Sequence, residues 1–278
     1  MRALIMKLSC LPVSLYKDIF NGEKSVLDWV HLGADLGLDG IDVSVKFFPT
    51  REKQLLEVIY KEAQRMELDL CTLVCYPDFT HPDAVVRERE IEQMKLDIQL
   101  AATLGAKFIR VTAGQNHPGL QREQGICWAV EGFSRILDEA EKFGVILTYE
   151  NHTKGAPWKY WDFSQPRDVF LEILGNFIDT PLKVCFDTAN SLVIGEDPIE
   201  LLKIVKEEVA TVHVFDIHAV NSFEPVLVGT GVSPIKEILF ILKHSGFDGW
   251  LSVEEASHTG YEGFVRATSF VQSTWDQI

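Results

Sequence analysis

Four residues able to share a divalent cation sit at or near the ends of apolar runs in the second half of the chain. Glu150 ends Val-Ile-Leu-Thr-Tyr-Glu, Asp187 ends Val-Cys-Phe-Asp, His213 lies within Thr-Val-His-Val-Phe, and Glu254 follows Leu-Ser-Val. Taken singly, such a carboxylate is a helix cap or an ion-pair partner, and such a histidine is a hydrogen-bonded core residue. Taken together they pose a charge problem, because three converging carboxylates repel one another and favour proton uptake. A divalent cation between them removes that conflict. Carboxylate oxygens with one imidazole suit Mn2+ first, with Mg2+, Co2+ and Zn2+ as alternatives that the sequence does not separate.

The elements that must position these residues repeat in form. Helix-period segments end at Gly, as in Leu36-Gly37, Leu104-Gly105, Phe143-Gly144 and Ser245-Gly246, and a β-rich run follows each time. Glycine there supplies a left-handed C-cap, so each helix can stop abruptly. Eight β-like runs are expected at residues 3–9, 40–45, 68–75, 108–112, 145–150, 183–187, 211–215 and 250–254. Amphipathic stripes lie between them, for example Val26, Trp29, Val30, Gly33 and Leu36, then Leu55, Ile59, Ala63 and Met66. Strand–helix alternation of this kind requires a parallel sheet with right-handed crossovers. Eight units of about 35 residues predict one α/β domain spanning 1–278, a single (β/α)8 TIM barrel. An open doubly wound sheet is disfavoured, since no G-x-G-x-x-G follows the first run. In a barrel, side chains at the C-terminal ends of the strands share one mouth, which is where the four residues would meet.

Composition narrows the partners. The 278 residues are 46% hydrophobic and 24% charged, enough apolar content for a large core. A formal charge of −15 argues against a nucleic-acid partner, and the pair Arg87 and Arg89 is interleaved with Glu88, Glu90 and Glu92. No run reaches the length of a membrane span, and no leader-like cleavage site follows the apolar start. The five cysteines form no C-x-x-C pair, which fits reduced thiols in a cytoplasmic setting.

At the quoted runs the chain resembles the xylose isomerase-like barrel superfamily of sugar isomerases, epimerases and related lyases. The matching pieces are Leu147-Thr-Tyr-Glu150-Asn151-His152, Phe186-Asp187-Thr188-Ala189-Asn190, Val212-His213-Val214-Phe215-Asp216, Gly229-Thr-Gly231 and Gly249-Trp-Leu-Ser-Val-Glu254. The resemblance implies metal ligation by Glu150, Asp187, His213 and Glu254. It also implies proton abstraction beside a carbonyl, through a metal-stabilised enediolate, with Glu150 and Glu254 moving the proton. A small carbohydrate substrate and an isomerase or epimerase activity follow, with a lyase or dehydratase on a keto-sugar, inosose or dehydroshikimate-like compound as the alternative. Three departures bear on that choice. Asn190 replaces the His that tagatose epimerase-like members carry, Phe215 replaces the Lys of H-V-K-D, and Ala219 replaces a conserved Arg.

Substrate contacts are expected around the four. His152 shares the strand face of Glu150 if the strand continues, and either binds substrate or carries a proton. Asn190 is a hydroxyl contact or a helix cap. Asp216 and His218 are either partners of the His213 imidazole or substrate contacts. Arg110 binds a hydroxyl or phosphate or pairs at the barrel rim; Asp42 and Lys154 are weaker candidates. The stretch 152–166 carries Trp158, Tyr160, Trp161 and Phe163 beside Lys154 and Lys159, which suits a lid, a sugar-stacking wall, a contact between copies in a homo-oligomer or a satellite hydrophobic cluster. Gly229-Thr-Gly231 is a structural turn or a phosphate cradle.

Overall fold

The computed structural model describes residues 6–155 and 157–278. Eight parallel strands, β1 (Lys7–Leu11), β2 (Gly40–Ser44), β3 (Asp69–Val74), β4 (Phe108–Val111), β5 (Ile146–Glu150), β6 (Lys183–Asp187), β7 (Val209–Val214) and β8 (Trp250–Glu254), pair in sequential order, with β8 returning to β1. The helices among the described residues are α1 (Tyr16–Phe20), α2 (Val26–Asp35), α3 (Lys53–Arg65), α4 (Ala84–Leu104), α5 (Arg122–Phe143), α6 (Arg167–Gly175), α7 (Pro198–Val205), α8 (Ile235–His244) and α9 (Tyr261–Gln277). The result is a single (β/α)8 TIM barrel, nearly closed. The open seam is β1 to β2, where Asp39 ties the strands: its backbone N–H donates to the Leu8 carbonyl and its carboxylate accepts from the Leu8 N–H.

Seven expected strands lie within two residues of their predicted bounds. The first does not: β1 starts at Lys7 and runs to Leu11, later than the expected 3–9, whose residues 3–5 lie outside the described part. The apolar pattern of the N-terminus does not define where pairing begins; the register with β8 does, setting Leu11 opposite Glu254. The helix stops behave as the glycines predict, with Gly105 and Gly144 left-handed at the ends of α4 and α5. Cys10, Cys71, Cys75 and Cys185 are buried and Cys127 is exposed, all as free thiols. No helix among the described residues is long and apolar enough to cross a membrane.

The core is continuous between the barrel wall and the helix ring, and it is aromatic below the later strands. Tyr149 of β5 stacks on Phe170 of α6, with centroids 4.5 Å apart, and tilts against Phe133 of α5 at 4.8 Å. Gly132 lets Phe79 lie against α5, since a Cβ there would meet the Phe79 ring at 2.4 Å. This packing holds β5 and its neighbours as rigid supports for the residues at their tips.

A four-residue acidic and imidazole cluster at the barrel mouth

Strand register brings the four residues together. Asp187 pairs with His213 across β6 and β7, and His213 pairs with Ser252 of β8, two residues short of Glu254. Glu150 caps β5 beside Cys185 of β6. Because side chains alternate along a strand, residues two apart point the same way, and all four aim inward at the C-terminal end. Each offers a ligand atom within 4.8 Å of the others. His213 Nδ1 lies 2.6 Å from Glu150 Oε1 and 3.4 Å from Glu254 Oε2. Glu150, Asp187 and His213 are buried; Glu254 keeps 21% of its side chain exposed.

The second layer fixes these groups. Asn151 clamps the β6 backbone, accepting from the Asp187 N–H at 2.8 Å and donating to its carbonyl at 3.0 Å. One Asp187 oxygen accepts from the N–H groups of Ala189 and Asn190 at 2.8 and 2.7 Å. The other has no protein partner, and neither has Glu150 Oε2 in hydrogen-bonding geometry. Buried polar atoms left in this state cost free energy unless another group satisfies them. Arg110 Nε stands 3.1 Å from Glu150 Oε2, a close ion pair in which both side chains are buried.

Electrostatics states the same conflict. Burial raises the Glu150 carboxyl, but the Arg110 guanidinium and the His213 imidazole outweigh it and hold the group at about 2. Burial, then the charges of Glu254 and Glu150, push Asp187 well above the usual carboxylate range. Burial also raises Glu254, against the pull of His213. Three carboxylates cannot share a dry mouth as anions on the strength of one guanidinium and one imidazole. A divalent cation fits the donor set: oxygens without partners, a ring nitrogen facing them, and the right mutual reach.

Glu254 of the cluster also lines a cavity of ≈ 320 Å³. It is lined by Glu254, Arg110, His152, Lys154 and Asn190 among the sequence-expected residues, the size and mixed character of a small-ligand site. His152 is held through Nδ1 by the buried Asp162 carboxylate at 3.3 Å, and its ring meets the Trp158 ring edge-on at 5.5 Å. Asn190 accepts from Thr153 Oγ1 at 3.1 Å and opens the 3-10 turn Asn190–Ile194.

Other expectations need correction. Asp216 reaches neither His213 nor the cavity: its oxygens accept from the backbone N–H groups of Ile217, Gly229, Gly231 and Ser233, at 2.8–3.0 Å. The Gly229-Thr-Gly231 segment is therefore a turn already filled by a side-chain anion, not a phosphate cradle. His218 is exposed and lies off the cavity lining. Trp158 is a buttress rather than a wall, donating its indole N–H to the Tyr76 carbonyl at 3.3 Å. The aromatic stretch is pinned rather than free, by Phe163 N–H to the Gly114 carbonyl and Asn116 N–H to the Trp161 carbonyl. Trp161 is exposed, its ring edge-on to Phe223 at 5.8 Å.

The structure also adds lining residues that the sequence reading does not single out: Tyr16, Tyr76, Phe223 and His258. Tyr76 lies two residues past β3, on the same face as its last residue, so the strand-end rule would have flagged it. Tyr16 opens the short helix α1, and Phe223 and His258 come from connections with no periodic signal. Asp162, the partner of His152, was hidden among the loop aromatics.

Residues 30–271 match the xylose isomerase-like TIM barrel family. No curated protein sequence matches the chain. Among solved structures, the probable 3-DHS dehydratase AsbF of Bacillus anthracis is similar over 96% of this chain and 99% of its own, with 17% identity and a TM-score of 0.78. D-psicose 3-epimerase of Clostridium cellulolyticum, solved with D-tagatose, is 15% identical over 97% and 99%, with a TM-score of 0.77. An IolI protein solved with a zinc atom is 19% identical over 97% and 96%, with a TM-score of 0.75. At these identities the likeness is one of fold.

Proposed function

The chain belongs to the xylose isomerase-like TIM barrel family, and from that footing we propose that it is a divalent-metal-dependent isomerase or epimerase of a small polyhydroxylated carbonyl compound. The observation that carries this reading is the set of Glu150, Asp187, His213 and Glu254, whose ligand atoms lie within 4.8 Å of one another, with Glu254 also lining a cavity. These four would hold the ion, with Mn2+ the first choice for their mixed oxygen and imidazole donors and Mg2+, Co2+ and Zn2+ as alternatives. When bound, such an ion supplies Lewis-acid stabilisation of the negative charge that develops on oxygen as a proton leaves the carbon beside a carbonyl.

The remaining chemistry falls to the chain. Glu254 is the base of choice: it faces the cavity, it is partly exposed, and burial raises its carboxyl above the usual value. Glu150 suits ligation better than proton transfer, because Arg110 and His213 hold its carboxyl at about 2. His152, oriented by Asp162 and lining the same cavity, is the second proton carrier. Lys154 and Asn190 are the polar groups available for substrate hydroxyls, and Tyr16, Tyr76 and Phe223 form the apolar walls that exclude water.

A lyase acting on a keto-sugar, inosose or dehydroshikimate-like substrate is the second reading, favoured by Asn190 and Ala219 at the positions where tagatose epimerase-like members carry His and Arg. Incubation of the Mn2+-loaded protein in D2O with ketoses, keto-glycosides and inososes separates the two. Carbon-bound deuterium in recovered or isomerised substrate supports the isomerase, and loss of water or aglycone supports the lyase. Absence of both across the panel supports neither reading.

A further inference from the structure

Beneath the mouth, the barrel interior holds a further buried carboxylate that the proposed reaction does not use. Asp42 projects from the middle of β2 with no solvent exposure. Its Oδ2 accepts a hydrogen bond from Ser252 Oγ at 2.6 Å, and its Oδ1 has no protein partner. His213 Nε2 is also buried without a partner, and it stands 3.9 Å from Asp42 Oδ2. Ser9 Oγ and Thr211 Oγ1, on β1 and β7, are buried and unpartnered as well. Buried polar atoms left without partners need a reason.

The reason lies in the two ends of the His213 ring. Nδ1 faces the carboxylates of Glu150 and Glu254. An imidazole that ligates through Nδ1 presents its lone pair there, so its proton sits on Nε2. That N–H points into the barrel interior, where Nε2 is buried, and it requires an acceptor. Ser9 and Thr211 offer neutral hydroxyls, and Cys185, whose sulfur lies within 4.8 Å of the Glu150 and His213 ligand atoms, offers only a weak one. Asp42 offers a carboxylate, the strongest acceptor in reach. The 3.9 Å separation closes with a side-chain shift of about 1 Å, or through one bent water bridge.

We infer that Asp42 is a positioning residue for the metal centre: it accepts the His213 Nε2 proton, holds the ring in the tautomer that ligates through Nδ1, and raises the basicity of that nitrogen. Ser252 in turn holds Asp42, so β2, β7 and β8 are joined in one line from barrel interior to mouth. The inference rests on the proposed metal site, and it extends that site by one carboxylate on a strand that contributes no ligand.

The test uses the full-length apo-protein and Mn2+, Co2+ and Zn2+ in competition with a chromophoric chelator. Asp42→Asn keeps shape and one acceptor, and Asp42→Leu removes both acceptors. Partners of this kind change metal affinity by about 10–100-fold, so Asp42→Leu should weaken binding in that range and Asp42→Asn by less. Thermal unfolding of each apo variant and the 15N shifts of the His213 ring in the Zn2+-loaded protein accompany the titrations. The wild type should show a protonated Nε2, and Asp42→Leu a mixed tautomer. Cys185→Ala should leave affinity within about twofold. Wild-type affinity in both Asp42 variants overturns the inference and makes Asp42 a structural core acid, as does loss of apo stability with an unchanged tautomer. A larger loss from Cys185→Ala than from Asp42→Leu assigns the role to the thiol instead. If the wild type itself binds none of the three ions, the metal site fails and the inference fails with it, a result distinct from all the others.

Discussion

Arg110→Met offers the sharpest test of how the mouth is balanced. Arg110 and Glu150 are both buried, with Nε and Oε2 3.1 Å apart. At an effective dielectric of about 20, two unit charges at that separation attract by about 5 kcal/mol. Part of this offsets the cost of burying the guanidinium, and breaking such pairs by removing one partner costs about 3–5 kcal/mol. Methionine fills most of the space of the stem, so the loss is electrostatic and leaves Glu150 as a buried anion with only His213 for compensation. At about 2 °C per kcal/mol for a chain of this size, the apo-protein should melt about 6–10 °C lower. A bound cation supplies the charge that Arg110 supplied, so the metal-loaded variant should lose less. By linkage, Arg110→Met must then bind the cation more tightly than the wild type. Glu150→Gln in the Arg110→Met background should recover most of the apo loss, since removing both partners of a buried pair is far milder than removing one. Calorimetry of the four proteins, each with and without metal, reads every term. An apo shift under about 2 °C, or single losses that simply add in the double variant, would refute the balance described here.

Three further outcomes follow from the same geometry. Glu254→Gln should lower turnover by about 10²–10⁴-fold while the fold persists, because a proton carrier is lost and the shape is kept; near-wild-type turnover, measured by substrate deuteration, removes Glu254 from proton transfer. Removing the metal with a chelator should lower unfolding stability by about 2.7 kcal/mol relative to protein held at a hundredfold excess of metal over Kd, and a denaturation curve indifferent to metal argues against the four-residue site. Asp216→Ala leaves four backbone N–H groups of its turn without their acceptor. Solvent can rescue those at the exposed turn, so a loss of about 2–4 kcal/mol in urea titration is expected with metal affinity unchanged, and a matching loss of metal affinity would return Asp216 to the site.

Much of the architecture is local chemistry and is readable in the chain. Apolar runs of strand length, helices stopped by Gly105 and Gly144, and carboxylates at run ends are each short-range signals, and together they define a barrel with an acidic mouth. Glu150, Asp187, His213 and Glu254 were legible for that reason: a strand's period of two dictates which face a residue takes, and the fold class dictates which end is shared. Asp216 was misread because proximity in sequence to His213 says nothing about direction. It follows β7 and turns outward, where four backbone N–H groups converge on it.

What the tertiary structure alone decided is who meets whom across the barrel. Arg110 beside Glu150, Asp162 behind His152 and Asp42 beneath His213 join elements 10 to 171 residues apart, and each pairing depends on strand register, stagger and loop path. No local periodicity encodes those quantities. They are set when the whole sheet curls and one strand slides against the next, and a slip of two residues would keep every hydrophobic face intact while giving each buried charge a different partner.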